Sequence, residues 1–532
     1  MVGSVGGGCL LIPASYGVEG SARYHERMST TLTAGTWVNA PSDRGTFHAW
    51  NPTTGKAIER SFPISTWEDL DLMASAAMDA ARSDAGSEPG RIARCLLLMA
   101  DRLDDRRAGI AAVAHEETGL PLDPRLAVIE FDRMLGQLRQ AAEGAKDVSP
   151  ESWRQPLIDV DTNIRSDRGP LGGPVLCIGP NNFPLAFHAV SGGDFASAIA
   201  AGNPVIAKGH PLHPETGRLL AECAHQAVME AGLHPATVQY FHHCEPEDGL
   251  RLVRDPRIAA VGFTGGREAG LAIKTAADGS GTPAYLEMSS VNPVFLAAGA
   301  LAGDATGHAE AWAGSIMMGA GQFCTKPGIA IVIGPEGGSF VDAAAAVLGS
   351  APPGILFSSA GVQRLSAGVE AAVEAGAKLV VGGRPAGSGF GFEPTLLEVG
   401  ADVLMNRFDV LSAELFGPVG MVVRAEDLAS AVAVAEMFEG QLTTTICTGS
   451  GGVDDDAWMA LSSVLRARCG RLLENKMPTG VAVVPSMVHG GPFPATGHPG
   501  FTAVGMPTGI ERFSMRRCWD GVEARRLPAW LQ

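Results

Sequence analysis

The chain has 532 residues, 46 % hydrophobic and 18 % charged, enough for a large core and roughly two to four domains, which excludes a mostly disordered protein. A formal net charge of -17 with no conspicuous basic patch excludes a nucleic-acid partner. No run of about 18 uninterrupted apolar residues occurs, so no membrane span is expected.

The nine cysteines are scattered and include no CxxC pair. That pattern suits neither a disulfide framework nor a zinc site, so no metal is expected and a reducing, cytoplasmic setting is. Residues 1–30 have no basic segment before their short apolar run and no clear cleavage site, a poor secretory signal. They read as a flexible tail, or as upstream sequence before an alternative start at Met28.

Residues 47–62 read as extended, with an NPTTG turn at 51–55. Residues 64–118 carry Ala, Leu, Met, Arg and Asp at helical spacing, with Leu96, Leu97, Met99, Ala100 and Leu103 on one side. A further helical stretch runs from about Pro124 to Glu143, and 150–168 break the pattern and look extended.

From there strands and helices alternate: strand 174–179, a small-residue helix within 181–202, strand 203–208, helix 214–231, strand 238–242, helix 246–254, strand 259–265, helix 267–277 and strand 284–289. Such alternation predicts parallel strands joined by helical crossovers, an open doubly wound α/β sheet that binds ligands at the carboxyl ends of its strands. Asn181, Asn182, Lys208, Gly265, Gly266 and Glu287 fall at those ends. A second α/β region begins near 290, with strands at 293–297, 328–334, 378–383 and 417–425 and helices near 304–320 and 338–348. The last stretch, from Met515, reads as irregular and extended.

In GQFCTKPG (321–328) a single cysteine sits among small residues, as a thiol that must meet a substrate requires. Taken alone, Cys324 is more often a small buried hydrophobe. Asn182 can simply cap a helix, Lys208 can be a solvated charge, Glu287 half of a surface pair, and Glu414 an exposed turn residue. Six motifs in order weigh against those readings: GPNNFP (179–184), VIAKGHP (205–211), GFTGG (262–266), LEMSSVNP (286–293), GQFCTKPG and AELFGPV (413–419). With them the chain resembles the aldehyde dehydrogenase superfamily over about residues 36–525.

The resemblance implies an aldehyde dehydrogenase-like α/β fold: a doubly wound cofactor domain (31–149 and 169–288), an α/β catalytic domain (289–508) and a small oligomerisation flap (150–168 and 509–532). A flap with exposed strand edges needs a partner, so a homodimer or homotetramer is expected. The resemblance also implies that Cys324 attacks a small-molecule aldehyde and holds the acyl group as a thioester. Asn182 and the nucleophile's backbone N–H would stabilise the oxyanion, and Glu287 would be the base that activates water. Lys208 would donate to ribose hydroxyls. Gly265 and Gly270 would let a helix N-terminus approach the pyrophosphate. Glu414 would hold the nicotinamide ribose, with Phe416 packed beside it.

Two positions depart from the family pattern. Gly266 replaces a common serine and loses one phosphate contact. Pro211 stands where many NAD-preferring members have a glutamate, which removes a repulsion toward a 2′-phosphate; NADP or NAD is expected, with NADP tolerated and His210 a further phosphate contact. EMSS in place of ELGG, with HGGPFPATGHPGFTAVG (489–505), resembles an NADP-accepting subgroup that includes α-ketoglutaric semialdehyde (2,5-dioxopentanoate) dehydrogenases of sugar-acid catabolism and a bacterial fatty-aldehyde enzyme. For a carboxylate-bearing aldehyde, His188, Arg154, Arg407 and His489 are candidate contacts; for a fatty aldehyde, Phe183, Phe187 and Phe323 would line the tunnel. Thioester transfer to coenzyme A is disfavoured by Glu287. A non-catalytic binding protein is disfavoured by the joint presence of Cys324, Asn182 and Glu287, and is left open by Gly266.

Overall fold

A computed structural model describes residues 30–39, 45–83 and 89–532; most of the N-terminal tail, with Met28, lies outside the described residues. Two seven-stranded sheets organise the chain. In the first, the spatial order is Ala284–Glu287, Ala260–Thr264, Val175–Ile178, Val205–Lys208, Val238–Phe241, Thr30–Thr33 and Thr36–Asn39. The first five strands run parallel; Thr30–Thr33 lies antiparallel to Val238–Phe241, and Thr36–Asn39 antiparallel to Thr30–Thr33.

Successive side chains of these strands serve opposite faces. Val175, Cys177, Val205 and Ala207 pack with helices Pro89–Asp105, Phe131–Lys146 and Pro214–Ala231. Leu176, Ile206 and Val261 pack with Trp67–Arg82 and Arg267–Ser280 on the other face. Unbroken apolar strands between two helical layers are what a parallel sheet requires. The strand order reverses between Val175–Ile178 and Ala260–Thr264, so a crevice opens at their carboxyl ends.

The second sheet runs Lys378–Val381, Thr395–Gly400, Val419–Ala425, Ile329–Ile333, Val294–Leu296, Gln441–Cys447 and Cys469–Glu474, parallel except for its first, edge strand. Strands 395–400, 441–447 and 469–474 add to those expected from the sequence; in QLTTTIC three consecutive threonines, all buried in the sheet, read as polar. Leu97 also differs from expectation: it is exposed, whereas Ile92, Leu96, Met99, Ala100 and Leu103 are buried. At 100° per residue, Leu97 falls off the face that Leu96 shares with residues three and four away.

A third, antiparallel sheet joins Ser514–Asp520, Ile164–Pro170 and Leu157–Asp159. The chain near Met515 is therefore regular as far as Asp520; its arginines hid a strand that is held by pairing rather than by a core. Leu157, Ile158 and Val160 lie exposed there. Before reaching that sheet the chain returns to the first one. Met288 N donates to Ala495 O at 2.8 Å, Gly497 N donates to Leu286 O at 2.8 Å, and Thr496 bridges Glu287.

Candidate active site

The segment leading to Cys324 explains its small residues. Gly319, Ala320 and Gly321 have φ of 56°, 54° and 69°, a left-handed run that bulky side chains resist. A Cβ on Gly321 would lie 1.9 Å from the carbonyl oxygen of Gly417. Past the cysteine, Lys326 N donates to Phe323 O at 3.1 Å and closes the turn.

Asn292 holds this turn from behind. Its Nδ2 donates to the carbonyls of Cys324 and Lys326, both at 2.9 Å, and of Ser290 at 3.2 Å. Its Oδ1 accepts from Ser290 Oγ and Thr443 Oγ1, and its φ is 51°. Lys326, 2 % exposed, donates through Nζ to the carbonyls of Leu415, Gly417 and Val419, so the loop of Cys324 is tied to the loop of Glu414 and Phe416. Burial pushes the Lys326 ammonium down, and Glu414 opposes that shift. Sequence reasoning assigned no role to Asn292 or Lys326; the helix-incompatible SVNP was the signal for the first.

Three ionisable groups meet at the sulfur. His489 Nε2 lies 3.5 Å from Cys324 Sγ and 3.3 Å from Glu287 Oε1. Glu287 and His489 are 1 % and 2 % exposed. The pairing of residues 495–497 with the end of strand Ala284–Glu287 brings His489 here. A Cβ on Gly490 would meet Phe501 O at 2.1 Å and one on Gly491 would meet Gln441 O at 2.3 Å, so HGG is needed for the chain to pass. Burial pushes the Cys324 thiol well above its ordinary range; the negative charge of Glu287 adds to this and Arg133 opposes it. The cysteine therefore rests as a thiol and needs a proton acceptor.

Asn182 is buried, and its Nδ2 donates to the carbonyl of Gln322 at 2.9 Å, against the nucleophile's loop. Arg125 donates to the carbonyl of Asn182 at 3.3 Å and pairs with the buried Glu130. Arg133, overlooked in the sequence, acts electrostatically on both Cys324 and Glu287; burial lowers its pKa. One nitrogen, Nη1, donates to Val481 O at 2.7 Å, while Nε and Nη2 are buried with no hydrogen-bond partner among the described residues. Phe183, Phe187 and Phe323 form an edge-to-face row with centroids 5.1–5.2 Å apart. Guanidinium groups cover their faces: Arg133 lies 5.0 Å from Phe187, and Arg125 lies 4.6 Å from Phe183 and 5.5 Å from Phe323.

Of the four polar candidates for a substrate carboxylate, His489 reaches the sulfur. His188 is buried beside His213 and Tyr240, Arg154 is stacked between Trp153 and Trp530, and Arg407 is exposed.

The crevice at the reversal of strand order is a cavity of about 440 Å³ lined by Asn181, Lys208, His210, Thr264, Gly265, Gly266 and apolar residues including Phe263 and Ile273. Helix Arg267–Ser280 begins at Gly266 and presents its N-terminus there. A Cβ on Gly270 would lie 2.6 Å from Met288, and one on Gly265 would lie 2.6 Å from the Phe263 ring; nothing lies within 4 Å of one on Gly266. Gly270 thus seats the helix, while Gly266 leaves open room. Burial lowers the Lys208 ammonium and, more strongly, the His210 imidazole. His210 therefore rests neutral, stacked 5.2 Å from His213. Pro211 is not among the lining residues.

A second cavity, about 140 Å³, is lined by Asn181, Gln322, Phe357, Glu414 and Phe416. Asn181 belongs to both cavities, and Gln322 brings the second to within two residues of Cys324. Burial raises the Glu414 carboxyl, against contacts with Ser289 and Lys326. The two spaces meet at Asn181. Their helix N-terminus, partly unpaired ammonium and terminal carboxylate fit a dinucleotide.

Residues 37–495 match the aldehyde dehydrogenase family. The chain is 36 % identical to α-ketoglutaric semialdehyde dehydrogenase 2 of Azospirillum brasilense over 92 % of this chain and 94 % of that one. It is 34 % identical to α-ketoglutaric semialdehyde dehydrogenase of Acinetobacter baylyi over 93 % and 94 %. Among solved structures, aldehyde dehydrogenase C of Pseudomonas syringae with NAD+ and octanal superposes with a TM-score of 0.78 at 22 % identity, covering 94 % of this chain and 98 % of that one.

Proposed function

The chain belongs to the aldehyde dehydrogenase family and is an oxidoreductase acting on aldehydes, and from that premise we propose that it converts α-ketoglutaric semialdehyde to 2-oxoglutarate. The observation that carries the substrate is Arg133: a guanidinium with two buried, unpartnered nitrogens beside Cys324 and Glu287. A substrate carboxylate is the group that satisfies such a fork. Against a long alkyl chain, the Phe183, Phe187 and Phe323 row is overlaid by guanidinium groups rather than left as an apolar tunnel.

In this reading Cys324 Sγ adds to the aldehyde carbon after its proton passes to His489 Nε2, which then donates to Glu287 Oε1. Asn182 Nδ2 and backbone N–H groups of the nucleophile's turn receive the oxyanion. A bound NAD(P) would supply the hydride acceptor that turns the adduct on Cys324 into a thioester. Glu287, with His489, holds the water that hydrolyses it. Lys208, Gly265, Gly266 and the N-terminus of Arg267–Ser280 would hold the pyrophosphate and ribose, and Glu414 and Phe416 the second ribose. With Pro211 apolar and His210 neutral, NADP is tolerated without a fixed cation to select it.

The domains are assigned as 31–149 and 169–288 for the cofactor, 289–508 for catalysis, and 150–168 and 509–532 for the flap. The exposed Leu157, Ile158 and Val160 would be covered in a homodimer or homotetramer. Among the described residues no helix is long and apolar enough to cross a membrane, and the eight cysteines there are free; the scattered spacing of the chain's nine cysteines is the ground for a reducing, cytoplasmic setting. The test is formation of reduced cofactor at 340 nm with NAD or NADP and α-ketoglutaric semialdehyde, propanal or decanal. Preference for the semialdehyde is the expected result, and preference for decanal would overturn the substrate assignment.

A further inference from the structure

The cluster at the sulfur has a property that aldehyde oxidation does not require. Cys324 Sγ, His489 Nε2 and a Glu287 oxygen all lie within 4.8 Å of one another. A tetrahedral zinc with Zn–S of about 2.3 Å and Zn–N and Zn–O of about 2.0–2.1 Å sets S···N and N···O edges of about 3.5 and 3.3 Å. The observed separations are 3.5 Å and 3.3 Å. Both Glu287 oxygens are buried without a regular hydrogen bond among the described residues, so a carboxylate is directed into the site with lone pairs to spare. Sulfur, imidazole and carboxylate form a three-ligand arrangement that leaves a tetrahedral ion one open position.

We propose that Cys324, His489 and Glu287 form a binding site for a borderline-soft divalent cation, Zn2+ foremost, whose occupancy reversibly switches the enzyme off. On binding, the thiol proton leaves to solvent, sulfur bonds to the metal as thiolate, and water takes the fourth position. The sulfur lone pair that would attack an aldehyde is then committed to the metal. The sequence contains no metal-spacing motif because the three ligands come from three distant segments, joined by the return of residues 489–497 to the first sheet. The proposal rests on the geometry of these three groups and does not depend on the identity of the aldehyde.

The test is titration of the full chain with Co2+, following the sulfur-to-cobalt charge-transfer band and the visible bands of a four-coordinate ion. One equivalent should saturate them. Cys324→Ser should abolish the charge-transfer band. His489→Ala and His489→Gln should weaken binding by more than the roughly 10–100-fold that loss of a merely supporting residue costs. Cys518→Ser, at the exposed thiol, should change nothing. Zn2+ should displace the cobalt signal and block alkylation of Cys324, and EDTA should restore both alkylation and activity. Circular dichroism confirms that each variant is folded. No band, a band that survives in Cys324→Ser, or undiminished binding in both folded His489 variants would overturn the proposal. A chain inactive on every aldehyde but giving the cobalt spectrum would refute the oxidation reading alone; an active chain without the spectrum would refute the metal site alone.

Discussion

One nitrogen, His489 Nε2, faces both the sulfur of Cys324 at 3.5 Å and Oε1 of Glu287 at 3.3 Å. A single ring nitrogen can accept from the thiol or donate to the carboxylate, but not both at once. Proton transfer from sulfur therefore converts the first contact into the second. Replacing His489 by alanine should lower kcat by about 10²–10⁴-fold, the usual worth of a positioned proton acceptor. Single-turnover kinetics should place the loss in the acylation phase. Unchanged acylation would remove His489 from the proton path.

The charge balance at Cys324 makes opposite predictions for two neighbours. Because its pKa lies above the ordinary range, the thiol is protonated at neutral pH, and alkylation by iodoacetamide in the cofactor-free protein should still be rising with pH above 9. Glu287 raises that pKa and Arg133 lowers it. Glu287→Gln should thus shift the alkylation profile to lower pH, and Arg133→Ala to higher pH. The glutamine variant should alkylate faster while turning over about 10²–10⁴-fold more slowly, a divergence that separates thiol ionisation from water activation.

Arg133→Ala should also lower kcat/KM for α-ketoglutaric semialdehyde by roughly 10–100-fold, the equivalent of about 1.5–3 kcal/mol for a lost charged hydrogen bond. Propanal, which has no carboxylate, should lose far less. Initial-rate measurements with both substrates decide the matter, and equal losses would make Arg133 a structural residue.

Gly266 has open space around it, so Gly266→Ser should fold normally. Its hydroxyl would add one donor beside the start of helix Arg267–Ser280. KM for the cofactor should fall by about 3–10-fold, consistent with a net hydrogen bond of about 0.5–1.5 kcal/mol. Fluorescence titration of the reduced cofactor checks the binding step directly.

Asn292→Ala should destabilise the protein by about 2–4 kcal/mol: three buried carbonyls lose their donor, and alanine is strained at a φ of 51°. Denaturant unfolding measures this. Activity should fall with it, because the displaced carbonyls belong to the nucleophile's own turn.

Much of the first sheet was legible, because mostly apolar strands such as VIAK and AAVGFTG alternate with helices bounded by Pro214 and Gly232. The motif residues Cys324, Glu287 and Asn182 were legible only together: each taken alone has an ordinary structural reading, and it was six motifs in one order that singled them out. His489 was considered only as a distant substrate contact, since no local pattern reveals a backbone that comes back to lie against Leu286 and Met288. Arg133 was hidden on an amphipathic helix, where an arginine ordinarily reads as solvent-facing. The strand at 441–447 was missed because buried threonines, satisfied by Asn292 and by Lys476 O, look like loop residues until their partners are seen.

The separation of Cys324 and His489 by 165 positions imposes an order on biosynthesis. At ordinary elongation rates the ribosome needs roughly 10–30 s to make that stretch. Throughout that interval the nascent chain has a nucleophile but lacks its imidazole and the HGG passage that seats it. Competence therefore arrives only with the final segment. A chain released before residue 489 would lack the imidazole that faces Cys324 Sγ, and with it both the proposed proton acceptor and the third ligand of the proposed metal site.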